Sequence, residues 1–154
     1  MYTVIHPLRT QDYHSVRDIY HDAFDRHDLP VKDLGVSWRA RSIPDSYGIY
    51  SREGDLLGFA IVSFHAKNGA NRYLDYLAVH SAFRGMDLGS KLLNHILQLC
   101  YDTKSSIHLY PLDSERLLAW YALHGFYHTG LDYMNFHCYE TRQQSSHLQR
   151  FEAK

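Results

Sequence analysis

Apolar residues recur along this chain with two periods, and the switches between them mark out most of the elements. Tyr2 to His6 alternates and reads as a first strand. From Gln11 to Phe24 the spacing becomes helical. Val16, Ile19, Tyr20, Ala23 and Phe24 build one apolar face, with Thr10 as the expected N-cap and Asp12 in the first turn. Leu29 to Ile43 reads as a short helix or loop around Trp38. Ser46 to Arg52 and Leu56 to His65 read as two strands joined by a turn at Glu53-Gly54-Asp55. A second turn at Lys67 to Asn71 leads to a strand at Tyr73 to Val79. Leu88 to Tyr101 is the longest expected helix, with Leu88, Leu92, Leu93, Ile96, Leu97 and Cys100 on its apolar face. Ile107 to Leu112 follows as a strand. Ser114 to His124 follows as a helix that Gly125 ends at the C′ position. Phe126 to Tyr139 holds one or two strands around Gly130, and from Thr141 the chain is a polar tail. Hairpin strands followed by βαβα predict an α/β (α+β) fold: one domain over residues 1–140, with a mixed sheet and helices on both faces.

Composition narrows the function classes. The chain has 154 residues, 45% apolar and 21% charged, which is the balance of a globular protein. Sixteen Lys and Arg against 17 Asp and Glu leave a net charge of −1, so no general attraction to nucleic acid or anionic membrane is expected. No apolar run is long enough to span a bilayer, and the first residues lack the basic start and apolar core of a secretory leader. Cys100 and Cys138 are far apart and read as reduced thiols, so a cytoplasmic setting is expected. The 12 His are scattered. The densest ligand-like group, His21, Asp22, Asp25, His27 and Asp28, fits no strong metal spacing and reads as a polar helix end and loop; no metal is expected.

The stretch from Tyr73 to Leu93, YLDYLAVHSAFRGMDLGSKLL, carries the chemistry. It reads as a strand, a short basic loop, a glycine-containing turn and a helix. Free N–H groups and the positive dipole end at the start of a helix favour phosphate, and Arg84 adds a permanent cation. The segment therefore reads as a pyrophosphate cradle, with a strand end just upstream.

In register, Arg84-Gly85-Met86-Asp87-Leu88-Gly89 resembles the signature of the GNAT superfamily of acyl-CoA N-acetyltransferases: Arg or Gln, two variable residues, Gly, one variable residue, then Gly or Ala, opening a helix. Trp120-Tyr121-Ala122-Leu123-His124-Gly125-Phe126 resembles a second family segment, in which a helical Tyr is followed by three residues and Gly-Phe. The resemblance covers most of the chain and implies a mostly antiparallel central sheet. Two positions depart from it. Asp87 stands where the family has its first glycine. Asp tolerates left-handed backbone better than most residues, and its carboxylate is expected to point away from the phosphates. Ser114 stands where the family often has an Asn that hydrogen-bonds the cofactor.

The resemblance implies transfer of an acetyl group from acetyl-CoA to a primary amine of a small molecule or peptide by direct attack. It implies that Leu77, Ala78 and Val79 lie along the thioester and supply a backbone N–H to its carbonyl. Arg84, Gly85, Met86, Asp87, Leu88, Gly89 and Ser90 would hold the pyrophosphate, Ser114 and Tyr121 would also touch the cofactor, and Tyr121 would protonate the leaving thiolate. Asp75 is the expected base, with Tyr76, His80, Glu53 and a water chain as competitors. The acceptor site is expected around Phe24 to Tyr47 and Gly130 to Tyr139; Asp22, Asp25, Asp28 and Asp33 read equally as a group favouring a cationic amine or as an ordinary solvated face. The resemblance also allows a homodimer through late strands. The competing reading is a catalytically weak or inactive CoA-binding regulatory module, motivated by Asp87 and Ser114.

Overall fold

The structure is a computed structural model that describes residues 2–24, 34–64, 72–111, 114–130 and 139–141. Its strands are β1 (Thr3–Pro7), β2 (Tyr47–Ser51), β3 (Leu56–Phe64), β4 (Arg72–Val79), β5 (Ile107–Leu109), β6 (Phe126–His128) and β7 (Tyr139–Thr141). The helices are α1 (Tyr13–Phe24), α2 (Leu34–Ala40), α3 (Leu88–Asp102) and α4 (Glu115–Leu123). The sheet order is β1-β2-β3-β4-β5-β7-β6. Pairing is antiparallel between β1 and β2, β2 and β3, β5 and β7, and β6 and β7, and parallel between β4 and β5. The expected mixed, mostly antiparallel sheet is therefore present. Two compact units are distinguished, Met1–Ser63 with Asp75–Ile96, and Phe64–Leu74 with Leu97–Lys154.

In the first unit, three residues of the apolar face read for α1 are buried, and Ala23 and Phe24 are half-buried. Val16, Ile19 and Tyr20 pack with Leu34 and Trp38 of α2 and with Phe59, Ile61 and Ala78 of β3 and β4. A second cluster places Leu88 and Leu92 of α3 against Ile49 and Leu57, with Leu77 and Val79 alongside. Leu57 belongs to the second cluster because β3 bulges. Ile49 pairs with Gly58 but Tyr50 pairs with Leu56, so Leu57 is the extra residue. Leu57 then joins the α3 cluster, while Phe59 and Ile61, two and four positions on, join the α1–α2 cluster.

Helix α1 begins differently from the reading. Thr10 does not cap it; Thr10–Asp12 is a 3₁₀ turn whose N-cap is Arg9. The physical reason is Asp12, which is 8% exposed. Its Oδ2 accepts the Arg9 N–H at 2.8 Å and the Tyr50 hydroxyl at 2.7 Å, which bends the chain back before the helix starts. Burial, and then the Asp12 carboxylate, push the Tyr50 hydroxyl well above the ordinary tyrosine range.

In the second unit, Arg72 is buried. Its Nη1 donates to Thr103 Oγ1 at 3.0 Å and also to Ser105 Oγ, and its guanidinium lies 5.2 Å from the Phe64 ring centre. The Thr141 hydroxyl accepts the Ile107 N–H at 3.2 Å. Thr141, read as the first tail residue, is thus the last residue of β7. Strand β5 stops at Leu109 rather than Leu112. Cys100 is a buried free thiol, and Cys138 lies outside the described residues. No described helix is long and apolar enough to cross a membrane.

Candidate active site

The parallel ladder between β4 and β5 is two residues long, Arg72 with Ile107 and Tyr73 with His108. Strand β4 continues six residues further, to Val79. At that end the backbone is tightly held from β3. The His80 N–H donates to the Leu57 carbonyl at 2.9 Å. A Cβ on Gly58 would sit 2.8 Å from the Ala78 carbonyl oxygen and 3.2 Å from Val79 Cγ2. Only glycine lets β3 come this close to Leu77–Val79, the segment expected along the thioester.

After Val79 the chain makes a 3₁₀ turn at Ser81–Phe83, in which the His80 ring nitrogen Nδ1 accepts the Ala82 N–H at 3.1 Å. Two residues then take positive φ, Gly85 at 84° and Asp87 at 65°. They swing the backbone into α3, where the Asp87 carbonyl accepts the Lys91 N–H at 3.1 Å. Leu88, Gly89 and Ser90 form the first turn, so their N–H groups have no partner within the helix. Gly85, Met86 and Asp87 are exposed. These features fit a pyrophosphate, which takes N–H donors and the positive helix end.

The left-handed backbone expected at Asp87 is present. The side chain is exposed, and the Cβ penalty of roughly 1 kcal/mol falls on one of the residues that bears it best. Asp87→Gly removes that penalty but raises the entropy lost on folding by about 0.5–1 kcal/mol, so the two nearly cancel. Thermal denaturation is expected to show Tm unchanged within about 3 °C. Titration calorimetry is expected to show CoA affinity equal or higher, because a carboxylate leaves the cradle. A marked loss of affinity would mean that Asp87 makes a ligand contact or a needed cap.

Arg84 is not the free cation that the sequence suggests. Its Nε donates to the Val79 carbonyl at 3.2 Å, and its Nη2 lies 3.9 Å from Asp22 Oδ2. Asp22 also accepts the Ser81 N–H at 2.7 Å and the Ser81 hydroxyl at 2.8 Å, and His80 Nε2 lies 4.0 Å away. The Ser81 N–H, followed by its hydroxyl, holds the Asp22 carboxyl below the ordinary carboxylate range. A lowered carboxylate favours the tethered state above its unfolded pKa, and that preference is lost as pH falls through the folded value. Asp22, first read as part of a polar helix end, is thus bound to the loop 59 positions away.

Asp75 is partly buried, and its Oδ1 accepts the Ser63 hydroxyl at 2.8 Å. Of its competitors, Tyr76 packs against Tyr20 and Phe24 with ring centres 5.4 and 6.1 Å away, and Glu53 is exposed in the β2–β3 turn.

In the second unit, Ser114 is the N-cap of α4, where its hydroxyl accepts the Leu117 N–H at 3.4 Å. Gly125, at φ 91°, ends the helix as read, with its N–H on the Ala122 carbonyl at 3.0 Å. Tyr121 is 7% exposed, with ring centres of Trp120 and Phe126 at 5.0 and 5.3 Å. Burial raises its hydroxyl far above the ordinary tyrosine range, so it stays protonated at neutral pH. The sequence reading missed one group in this unit. His108 Nε2 is 3.0 Å from Glu140 Oε2, the His108 ring stacks on Tyr73 at 5.0 Å, and its Nδ1 is buried with no hydrogen-bond partner among the described residues. Cross-strand register alone brings these together, and no local spacing signals it. Among the described residues no group of His, Cys, Asp and Glu could hold a metal ion.

Comparison with known proteins agrees with this geometry. A family profile described as Acetyltransferase (GNAT) family matches residues 13–126. No curated protein matches. The fold is similar to that of the ribosomal-protein-S18-alanine N-acetyltransferase from Escherichia coli, with TM-score 0.76, 15% identity, and 94% of this chain and 96% of that one covered. It is similar to Arabidopsis thaliana Naa50 in complex with the bisubstrate analogue CoA-Ac-MVNAL, with TM-score 0.72, 19% identity, and 92% and 99% covered. It is also similar to the PaiA N-acetyltransferase from Thermoplasma acidophilum in complex with coenzyme A, with TM-score 0.74, 13% identity, and 92% and 99% covered. At these identities the likeness speaks for the fold, and the profile speaks for the family. With a match that spans well over half its length, the chain belongs to the GNAT family of acetyltransferases.

Proposed function

We propose that the enzyme transfers the acetyl group of acetyl-CoA directly to a primary amine of a small molecule or peptide. The observation that carries this reading is the left-handed turn at Gly85 and Asp87, which leads from Arg84 into the first turn of α3. In this reading the N–H groups from Gly85 to Ser90 hold the pyrophosphate with Arg84. A backbone N–H within Leu77–Val79 takes the charge that develops on the thioester oxygen. Asp75, directly or through water, takes a proton from the amine, whose ammonium form has a pKa near ~10. The amine nitrogen bonds to the acetyl carbon, the C–S bond breaks, and the thiolate takes the Tyr121 proton; the second proton that the nitrogen sheds as the amide forms returns to the tyrosinate through solvent. The capping role of Ser114 leaves a cofactor contact there to be tested by Ser114→Ala.

Incubating the protein with acetyl-CoA and a panel of peptide α-amines, lysine side chains and small amines, while following free thiol, tests the reading. Acceptor-dependent thiol release from at least one member is the expected result. Tight CoA binding with no release from any amine would favour the regulatory module instead.

A further inference from the structure

The loop between β4 and α3 is exposed from Ser81 to Asp87 apart from half-buried Phe83, yet it must present Arg84 and a row of N–H groups in one geometry. Such a loop gains little from burial, and an unordered loop lowers affinity by the freedom that it loses on binding. What holds it is polar. Asp22 is the third residue from the end of α1, a helix anchored in the core by Val16, Ile19 and Tyr20. It accepts both hydrogen-bond donors of Ser81, at 2.7 and 2.8 Å, and faces Arg84 Nη2 and His80 Nε2 at 3.9 and 4.0 Å. From the other side, the Val79 carbonyl accepts Arg84 Nε.

We propose that Asp22 is a positioning residue for acyl-donor binding: through its paired bonds to Ser81 it ties the pyrophosphate loop to α1 and presets Arg84 for the cofactor. This rests on the reading of Arg84 to Ser90 as the pyrophosphate site. The tether lies in the Ser81 bonds rather than in the charge. They are short and directional, whereas the ionic contacts are near 4 Å and solvent-screened. A neutral amide keeps both bonds, since its oxygen accepts the Ser81 N–H and its NH₂ donates to the Ser81 hydroxyl.

The test is CoA binding by titration calorimetry to the full chain and to the Asp22→Ala and Asp22→Asn variants, with hydrogen exchange of residues 80–87 in the free proteins. Asp22→Ala is expected to weaken CoA about five- to tenfold, as for the loss of one or two exposed hydrogen bonds, and to speed exchange of the loop. With an accepted amine, the same change is expected in the KM for acetyl-CoA and not in kcat. Asp22→Asn is expected to stay within about twofold of the parent in CoA affinity and in exchange of the loop. A general folding defect would instead lower Tm and spread faster exchange beyond the loop. Wild-type affinity in Asp22→Ala, equal weakening in both variants, or tightening in both would each overturn the tether. If the parent protein bound no CoA, the site reading would fall, and the tether's role in binding with it.

Discussion

Tyr121→Phe is expected to lower kcat by roughly two to four orders of magnitude, the range for loss of a positioned general acid, while acetyl-CoA affinity stays as it was. The substitution removes only the hydroxyl. That group makes no hydrogen bond among the described residues, while the ring contacts with Trp120 and Phe126 remain. Tm should therefore move little, which separates a chemical effect from a packing effect. The same burial that raises the Tyr121 pKa sets a pH signature. The neutral, donating form persists through the working range, so Tyr121 contributes no falling limb to the rate below about pH 10. Unchanged turnover in the variant would remove Tyr121 from the acid role.

Gly58→Ala is the second substitution with a large expected effect, and it acts on fold and site together. The added Cβ would lie 2.8 Å from the Ala78 carbonyl oxygen, which is backbone and cannot rotate away. Overpacking of this kind costs about 1–3 kcal/mol. For a chain of this size that is a fall in Tm of roughly 2 to 12 °C. Because the displaced carbonyl belongs to the Leu77–Val79 segment, kcat/KM for acetyl-CoA should fall roughly ten- to a hundredfold beyond the loss of folded protein. Gly35→Ala is the matching control. Its Cβ would meet nothing nearer than Arg39 Nη1 at 3.4 Å, and alanine favours a helix over glycine. Thermal denaturation and steady-state rates measured on both variants decide the matter. A wild-type Tm and rate in Gly58→Ala would show that β3 yields freely and that the close approach is not needed.

The two substitutions differ in how far the sequence foretold them. Tyr121 lies in a segment where helix, C′ glycine and aromatic follow one another, and Gly125 does take the positive φ that this order implies. Gly58 gave only the general hint that a lone glycine inside a strand carries, a bulge or a close backbone approach. It sits in an apolar run, and the partner it approaches, Ala78, is 20 positions on. Where the bulge falls, at Leu57, is not legible, because alternation within one strand does not reveal its register against the next.

Local chemistry was therefore legible. The start of α3 at Leu88 and the burial along it of Leu88, Leu92, Leu93, Ile96 and Cys100, with Leu97 half-buried, follow from spacing and helix geometry, and the left-handed backbone at Asp87 was implied by the family glycine whose place it takes. These depend on atoms within a few turns of chain, so the sequence alone determined them. The partners of Asp12 and Asp22 did not follow, since Tyr50 and Ser81 stand 38 and 59 positions away. Nor did the two-residue parallel ladder beside β4 or the pairing of His108 with Glu140. A carboxylate can satisfy itself with any donor that packing delivers, and its own neighbours in sequence do not name that donor. Strand order and helix docking decided it, which is why Arg84 reads as a free cation along the chain and is held by Asp22 and Val79 in the fold.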